Sequence, residues 1–546
     1  MGKKNFKILG YTLLALLVGF IAGELLSRQS LMHGFFQPES NKISLLLDII
    51  DNAYVDEVSI HDLTEQVMPK LMAELDPHSA YIPADEFAEL KADMEGQFAG
   101  VGIEYCAIAD TMVVLNIIKG GPAEQAGLMP GDRIITVNNL KFTGDNFSEE
   151  KIRNNLRGSE GITVQLQIQR RGENSLLNYS VVRRNIPLTT IKAYYKISDN
   201  IGLIKIYDSF SANTYNEFIK AMAHLLSQGC SKFIIDLRSN SGGVIDAAVN
   251  ICNEFLSAGS PIVYAEGNAF PREEIQANGL GSLQENPLVI LVDQFSASAS
   301  EIVAGAIQDN DRGLIIGRRT FGKGLIQNQI ELSDSSAVRL TIARYFTPSG
   351  RNIQRKYELG KAEEYNEEFL DRFSDGEEFH EDSVHQNEQQ LFYTKKGRKV
   401  YGGGGVMPDI FVPLDTAEIT SYYINLDRNN IFRQYSGEYS DANRVKLSEF
   451  KDHNSMLDYL KTQPILYDIT HFAEKYGIKR RSNLINISSR SILRTTYAQI
   501  LGNFFGEETF FVVAMEGDPI IGRAVEILNN NNGDIKSVLE GKTKGR

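Results

Sequence analysis

Five short apolar runs between residues 184 and 354 constrain the fold of this chain more than any other feature. They read IGLIKIYD, KFIIDLRS, PIVYAE, PLVILVD and GLIIG. Amphipathic stretches near 214–228 and 244–257 separate some of them, as crossover helices separate parallel strands. Near-continuous apolar strands that alternate with helices are typical of a parallel sheet that is buried on both faces. We therefore predict an α/β fold for this region.

Length and charge place this region within a larger protein. The 546 residues correspond to three or four domains at about 150 residues each. The formal net charge is −14, which argues against a general nucleic-acid-binding protein. Three cysteines are too few for a disulfide scaffold, and the absence of a C-x-x-C pair argues against a zinc site. We expect neither a metal nor a cofactor.

The first thirty residues indicate export from the cytoplasm. Lys3, Lys4 and Lys7 precede an uncharged apolar run over residues 8–23. A basic flank before an apolar run is typical of a signal anchor or a cleaved signal peptide, and the lack of an A-x-A site favours the anchor. We predict that residues 1–30 form this anchor or signal segment. Residues 8–26 would anchor the exported remainder of the chain in a membrane.

Hydrophobic spacing and charge distinguish the other regions. Within residues 41–95, apolar residues repeat with a period near 3.6, which predicts helices. Within residues 96–183, short β-rich runs alternate with turns. The segment 361–382 holds ten acidic and two basic residues, which predicts a solvated, mobile insertion. The glycines at 402–405 predict a flexible hinge before one more strand, MPDIFVP. The predicted domains are a helical arm (35–95), a β-rich domain (96–183), the α/β core (184–415, with the insertion 355–400) and a mainly helical region of unknown role (416–546).

A serine-rich turn follows the fourth apolar run and opens a helix. It reads VDQFSASASE, with Ser298 near its end. A serine on a strand-to-helix turn can present its hydroxyl above the sheet, where the next amide and the helix dipole favour an anion. However, Ser298 followed by Glu301 is also a capping box, in which the serine only caps the helix. Taken alone, this segment is better explained by Ser298 as a helix cap than as a nucleophile.

Two further segments have the residue types that acyl transfer requires. TFGKGLIQ holds Lys323, which can act as a base only if burial disfavours its charged form, and Gln327, which could orient the amine. DLRSNSGG ends in Gly242 and Gly243, whose backbone amides can approach a ligand closely. The alternatives are a solvated loop lysine and a plain turn between a strand and a helix.

Together, the three segments resemble the carboxy-terminal processing peptidases, also called tail-specific proteases. The likeness covers roughly residues 41–354 and 402–414 and includes LDPHSAY and GVGIEY upstream. It implies an α/β multidomain fold, with a crotonase- or ClpP-like peptidase core, an inserted PDZ domain at 96–183, an N-terminal helical arm and a C-terminal helical region. It also implies that Ser298 is the nucleophile, Lys323 its base and Gln327 the partner of that base.

The resemblance assigns the binding groups as well. It implies an oxyanion hole made by backbone amides, and a PDZ loop that holds a C-terminal carboxylate while the peptide adds as a strand. The implied oxyanion residues are Gly242, Gly243 and Ala299, and the implied PDZ residues are Gly100, Val101, Gly102 and Ile103. The sequence departs from the family pattern at residues 239–241, which read SNS instead of the usual NNP, and in the insertion before Pro408.

The sequence thus predicts an exported serine endopeptidase that cleaves envelope proteins near exposed C-termini through an acyl-enzyme. The resemblance implies a bacterial cell envelope, with a periplasmic domain that residues 8–26 anchor in the inner membrane. Its partners would be protein or peptide substrates and the membrane, not nucleic acid; a homo-oligomer or an adaptor protein is left open. One alternative is a catalytically silent, membrane-tethered PDZ adaptor. Another is a crotonase-like acyl transferase, although an exported enzyme would not meet the acyl-coenzyme that it needs.

Overall fold

The computed structural model describes residues 42–108, 110–385 and 388–530. The predicted anchor over residues 8–26 lies outside these residues. Among the residues that the structure describes, no helix combines the length and the apolar character that crossing a membrane requires. The chain divides into two compact units, one up to Glu74 and the other from Leu75.

The first unit has the helical character that the sequence predicts for the arm. It contains α1 (Lys42–Ala53) and α2 (Ile60–Ala73). Ser59 begins α2 as an N-cap, because its side chain accepts a hydrogen bond from the amide of Asp62 at 3.2 Å. The third helix of the predicted arm, α3 (Ala84–Glu95), belongs to the larger unit.

A β-rich domain begins the larger unit after α3, and an antiparallel ribbon of β2 and β9 connects it to the remainder of that unit. Strand β1 (Ala80–Ile82) precedes α3 and belongs to another sheet. The strands of the ribbon and the domain are β2 (Gln97–Gly100), β3 (Ile103–Ile108), β4 (Thr111–Ile117), β5 (Arg133–Val137), β6 (Leu140–Lys141), β7 (Thr163–Gln169), β8 (Leu177–Val182) and β9 (Arg184–Pro187), and the helices are α4 (Pro122–Ala126) and α5 (Glu149–Leu156). The sheet has the order β3-β4-β5-β7-β8, with β6 beside β5, so β3 lies at an edge.

The predicted parallel sheet forms the core of the larger unit. The elements of the core and the insertion are β10 (Ile191–Ser198), β11 (Ile201–Ile206), β12 (Asp208–Phe210), α6 (Thr214–Ser227), β13 (Lys232–Asp236), β14 (Asn240–Gly243), α7 (Ile245–Phe255), β15 (Pro261–Glu266), β16 (Glu273–Gln276), β17 (Leu288–Val292), α8 (Ala299–Asp309), β18 (Leu314–Gly317), β19 (Leu325–Glu331), β20 (Ala337–Phe346), α9 (Ala362–Ser374), β21 (Leu391–Tyr393), β22 (Lys399–Tyr401) and β23 (Ile410–Phe411). The strand order is β10-β11-β13-β17-β18-β23, and all neighbours from β11 to β23 are parallel. Because β17 and β18 are buried along their whole length, their sequences are apolar throughout. The equally buried β11 has one charged residue, Lys205, which pairs with Asp236 at 3.1 Å.

The third apolar run, PIVYAE, does not join this sheet as its sequence predicts. As β15 it belongs to an antiparallel sheet of order β1-β20-β15-β16, with β19 beside β20. Pro261, Tyr264 and Glu266 of this strand are not fully buried, which suits a sheet that has only one packed face. The prediction of one parallel sheet was therefore wrong for this strand.

The C-terminal region is helical, as predicted. Its helices are α10 (Ser421–Arg428), α11 (Ile431–Ala442), α12 (Arg444–Leu447), α13 (His453–Lys461), α14 (Ile465–Glu474), α15 (Ser482–Phe505), α16 (Glu507–Ala514) and α17 (Pro519–Asn529). Most of them share a core of their own, whereas Ile520, Ile521 and Leu528 of α17 pack on the parallel sheet. Helices α6, α7 and α8 cover the opposite face of that sheet. The last helix thus supplies a layer of the α/β core.

The acidic insertion is ordered where its charge pattern predicts a solvated, mobile segment. Helix α9 buries Tyr365 and Arg372. Glu377, which follows α9, is also buried and pairs with Arg319 at 2.6 Å and with Arg372 at 3.1 Å. The prediction was wrong for this part because a charge count along the segment omits Arg319 and Arg355, which lie outside it and neutralise two of its carboxylates.

The glycines at 402–405 are packed and do not form the predicted flexible hinge. Gly405 has a φ of +87°, and a Cβ there would lie 2.5 Å from the carbonyl oxygen of Thr320. Its amide donates to the carbonyl of Ile353 at 2.8 Å. Glycine is needed at this position because the backbone approaches closely and has a left-handed conformation. The strand predicted after these glycines forms as β23, beside β18.

Candidate active site

Ser298 lies between the end of β17 and the first residue of α8. Its φ of +53° and ψ of −113° are unusual for a residue with a side chain, so the turn is strained. The residues on either side, Ala297 and Ala299, are buried, whereas Ser298 is half-buried. A sharp turn of this kind, from a strand into a helix, can expose one hydroxyl above the end of a sheet.

The glycine segment lies directly against this serine. A Cβ on Gly242, whose φ is +103°, would lie 2.6 Å from the Cβ of Ser298 and 3.0 Å from the nitrogen of Ala299. Any side chain there would fill the space beside the serine. Within the described part of the chain, the Ala299 amide has no hydrogen-bond acceptor. In contrast, the Gly242 amide donates to Asn240 Oδ1 at 3.0 Å, and Gly243 pairs with Phe210 across β12 and β14.

Lys323 and Gln327 are joined by a hydrogen bond. Lys323 Nζ donates to Gln327 Oε1 at 2.8 Å, and Gln327 Nε2 donates to the carbonyl oxygen of His78 at 2.6 Å. Burial, together with the positive charge of Arg339, lowers the pKa of Lys323 to about 8. Among the described residues, no hydrogen bond joins Lys323 Nζ to the Ser298 hydroxyl. The lysine thus releases its proton at a lower pH than an ordinary lysine does, and its amine is held by Gln327.

Glu301 connects the serine turn to the lysine loop, defined here as residues 320–323. Its fully buried carboxylate accepts hydrogen bonds from the amides of Ser298 (2.9 Å), Gly322 (2.7 Å) and Lys323 (2.8 Å). The Thr320 hydroxyl adds a fourth hydrogen bond at 2.5 Å. Burial raises the pKa of Glu301, although these hydrogen bonds oppose the rise. The capping-box pattern predicts only the contact within the helix; the contacts to the lysine loop were missed.

His78 is a further part of the site that sequence reasoning did not assign. Its amide donates to Asp76 Oδ1 at 2.9 Å, and its carbonyl accepts the hydrogen bond from Gln327. Burial and the charge of Lys323 lower the pKa of His78 to about 4, so its ring is neutral at physiological pH. The motif LDPHSAY was the signal that could have drawn attention to this residue.

The predicted peptide-binding loop lies between the ribbon and the edge strand of the β-rich domain. Gly100 ends β2 and Ile103 begins β3, with Val101 and Gly102 between them. Gly102 has a φ of +79°. The carbonyls of Val101 and Gly102 accept hydrogen bonds from Ala123 (2.8 Å) and Ile118 (3.1 Å), which holds the loop against the rest of the domain.

Edge strand β3 is contacted by the C-terminal region. Val114, the cross-strand partner of Tyr105, bonds through both its amide and its carbonyl to residues 131–132. The backbone groups of Tyr105 therefore face the open edge. Arg433 of α11 donates to the Tyr105 carbonyl at 3.1 Å and lies 4.0 Å from Glu149 at the start of α5.

No metal site is evident in residues 42–108, 110–385 and 388–530, where no three His, Cys, Asp or Glu side chains are grouped to hold an ion.

Comparison with known families identifies three segments. Residues 200–362 match peptidase family S41, and residues 99–181 match the PDZ domain. Residues 422–506, in the C-terminal region, match a family of unknown function.

Relatives with assigned names match much of the chain. A carboxy-terminal-processing protease of Bartonella bacilliformis is 33% identical over 352 residues, which are 61% of this chain and 79% of that protein. A carboxyl-terminal-processing protease of Synechocystis is 34% identical over 298 residues, or 54% of this chain and 69% of that protein. A solved structure of a photosystem II D1 C-terminal processing protease is 26% identical and covers 70% of this chain and 95% of its own, with a TM-score of 0.33.

The fold and these matches define a serine-type peptidase with a PDZ domain. The chain belongs to peptidase family S41, the carboxy-terminal processing proteases. The predicted family, the α/β fold with its inserted PDZ domain and the hydrolase class are thereby confirmed.

Proposed function

We propose that this protein is an exported endopeptidase that cleaves envelope proteins near their C-termini, with Ser298 as nucleophile and Lys323 as general base. The observation that carries the proposal is the meeting of three segments: Gly242 abuts Ser298, and Glu301 bonds the backbone of both Ser298 and Lys323. A serine on a strained turn, joined through Glu301 to a half-buried lysine of lowered pKa, has the residue types that an acyl-enzyme mechanism requires.

In the first step, neutral Lys323 accepts the hydroxyl proton as Ser298 Oγ bonds to the carbonyl carbon of the scissile amide. The Ala299 amide stabilises the charge that develops on the carbonyl oxygen, together with an amide of Gly242 or Gly243. The Gly242 amide would first have to leave Asn240 Oδ1. Each such donor contributes about 10²–10³ in rate.

In the next step, the C–N bond breaks and the Lys323 ammonium gives its proton to the leaving amine, which leaves an ester on Ser298. Water then attacks this ester while Lys323 again accepts a proton. The ester bond breaks, the proton returns to Ser298 Oγ, and the new carboxyl end of the substrate is released.

The PDZ domain selects the substrate in this proposal. The loop of Gly100, Val101, Gly102 and Ile103 would hold the terminal carboxylate, and the peptide would add as a strand beside β3, which lies at the edge of its sheet. The peptide would first displace Arg433 from the Tyr105 carbonyl. Residues 8–26 would keep the enzyme at the inner membrane. Membrane fractions of cells expressing the full chain, compared with a variant lacking residues 1–30, test this part.

The central test is peptidase activity of the purified Ser298→Ala and Lys323→Ala variants on a peptide with a free C-terminus. We expect each variant to lose cleavage while it still folds and unfolds in one cooperative thermal transition. Ser227→Ala and Lys356→Ala, which change exposed residues far from the site in sequence, are the matched controls and should keep full activity.

A serine-reactive fluorophosphonate probe adds an independent readout, and mass spectrometry should locate it on Ser298. Full activity in either variant would disprove the assignment. A chain that binds peptides but neither cleaves them nor reacts with the probe would favour the silent adaptor instead. Comparing C-terminal peptides of the envelope with and without Ser298→Ala would then identify the natural substrates.

A further inference from the structure

Helix α9 of the insertion contacts both the lysine loop and His78. The side chain of Tyr365, which is 3% exposed, points from α9 to the His78 ring. The Tyr365 hydroxyl lies 3.1 Å from His78 Nε2 and accepts a hydrogen bond from Gln354 Nε2 at 3.2 Å. A buried hydroxyl with two such partners holds its neighbours in one geometry.

A continuous series of hydrogen bonds connects Tyr365 to Lys323 through His78 and Gln327. The His78 carbonyl accepts from Gln327 Nε2 at 2.6 Å, and Gln327 Oε1 accepts from Lys323 Nζ at 2.8 Å. His78 is therefore held at three points: its amide by Asp76, its ring by Tyr365 and its carbonyl by Gln327. If the Tyr365 contact is removed, the ring can rotate, and the carbonyl that holds Gln327 is less restrained.

Protonation states favour Tyr365 as the donor in this pair. The pKa of His78 is lowered to about 4 by burial and by Lys323, so the ring is neutral and offers one nitrogen as an acceptor. The Tyr365 oxygen already accepts from Gln354, which leaves its proton free for His78. Burial also raises the pKa of Tyr365, which keeps the hydroxyl protonated.

The same helix also contacts the lysine loop directly. Arg372 Nη1 donates to the carbonyls of Thr320 and Phe321, each at 3.3 Å. The rings of Phe369 and Phe321 have their centroids 5.1 Å apart. Arg355 lies over both Tyr365 and Phe321, at 3.9 and 4.4 Å from their ring centroids, and pairs with Glu368 of the helix. Because α9 touches the loop and His78 together, a shift of the helix would displace both.

We infer that helix α9 belongs to the catalytic apparatus and that Tyr365 is a positioning residue for Lys323, acting through His78 and Gln327. This inference rests on the proposed function, because it takes Lys323 as the general base. It assigns a role to an insertion that lies outside the resemblance to the family. The insertion would set the rate of the chemical step and would leave substrate binding unchanged.

The test compares Tyr365→Phe with the wild type across a range of pH, with cleavage of a free-C-terminus peptide as the readout. The variant removes one oxygen and keeps the ring, so the fold should be retained. We expect kcat to fall about three- to tenfold, as for the loss of one hydrogen bond, with KM unchanged. The acid limb of kcat/KM should move to higher pH, because a looser site admits water to the lysine. Tyr393→Phe, an exposed tyrosine of the same insertion, is the matched control and should behave as wild type.

A double-mutant cycle with His78→Ala, which keeps the backbone carbonyl, tests the path. If Tyr365 acts through the His78 ring, its replacement should have no further effect in the His78→Ala background. Additive effects, or a Tyr365→Phe variant with wild-type kcat and pH profile, would overturn the inference. Ser298→Ala in the same assay separates the two proposals. If Ser298→Ala is active, the proposed function is disproved. If Ser298→Ala is inactive and Tyr365→Phe is unaffected, only the role of the helix is disproved.

Discussion

Helix α9 of the insertion and helix α11 of the C-terminal region both lie outside the resemblance to the peptidase family, but they contact different parts of the molecule. Helix α9 reaches the lysine loop through Arg372, which is 3% exposed. Helix α11 packs on the PDZ domain at Gly437, where a Cβ would lie 2.8 Å from Cys106 Sγ. It also reaches edge strand β3 through Arg433, whose side chain is 51% exposed.

Burial is the physical difference between these two contacts. The buried groups of α9 have few alternative partners, so losing one costs both stability and the geometry of the site. Arg433 can exchange its partner for water, so it contributes little stability. However, it occupies a backbone carbonyl at the edge where a peptide strand would pair. The comparison predicts that α9 affects catalysis and that α11 affects recognition.

Replacing the buried arginine should have the largest effect. Arg372→Ala removes donors from the carbonyls of residues 319–321 and one partner of the buried Glu377. We expect the free energy of unfolding to fall by roughly 3–5 kcal/mol and cleavage to be strongly reduced. Calorimetry and peptide cleavage measure the two effects. Arg428→Ala, an exposed arginine on α10, is the control; similar melting temperatures for both variants would contradict the contrast in burial.

The titratable groups beside the two helices also differ. In the lysine loop, which α9 contacts, Lys323 has a pKa of about 8, below its ordinary 10.5. Beside α11, burial raises the pKa of Cys106 to about 11. Below pH 8, Lys323 is charged in both the folded and unfolded chain, and the folded state bears the full cost of burying it. This cost disappears as the pH rises from about 8 to 10.5, because the folded state releases its proton first.

Lys323→Met should therefore abolish cleavage but raise the free energy of unfolding at pH 7 by about 3 kcal/mol, with the gain vanishing above pH 10.5. Urea unfolding at the two pH values measures this difference. Lys356→Met changes a lysine that is 89% exposed and should leave stability unchanged. A variant that is no more stable than wild type at pH 7 would argue that the amine is not buried at a cost.

Replacing the exposed arginine of α11 should have the smallest effect on stability. Arg433→Ala removes a hydrogen bond to Tyr105 and a distant ion pair with Glu149, so we expect a loss below about 1 kcal/mol. Peptide affinity should rise roughly two- to fivefold, because the incoming strand no longer displaces the arginine. Fluorescence anisotropy of a labelled peptide, in the Ser298→Ala background to prevent cleavage, measures this change.

An amidated peptide controls for the terminal carboxylate, and Arg428→Ala controls for the lost charge. Unchanged or weaker affinity of Arg433→Ala would contradict the proposed role of the β3 edge and would remove the distinction between the two helices.

Much of the fold could be predicted because its signals are local. Fully buried strands such as β17 are apolar along their whole length, and the serine segment follows β17 directly. The path of PIVYAE could not be predicted, since a short apolar run does not reveal which sheet it will join. The insertion was misread for a related reason: charge counted along a segment does not include Arg319 and Arg355, which lie outside the segment and pair with its carboxylates.

The sequence by itself determined the family, the α/β core, the PDZ domain and the candidate residues Ser298, Lys323 and Gln327, because each rests on a short motif or a hydrophobic period. Only the tertiary structure decided that Glu301 joins the serine turn to the lysine loop, and that Tyr365 meets His78 from 287 positions away. Such contacts depend on how separate elements pack, and no local pattern records which buried donor will satisfy which distant acceptor.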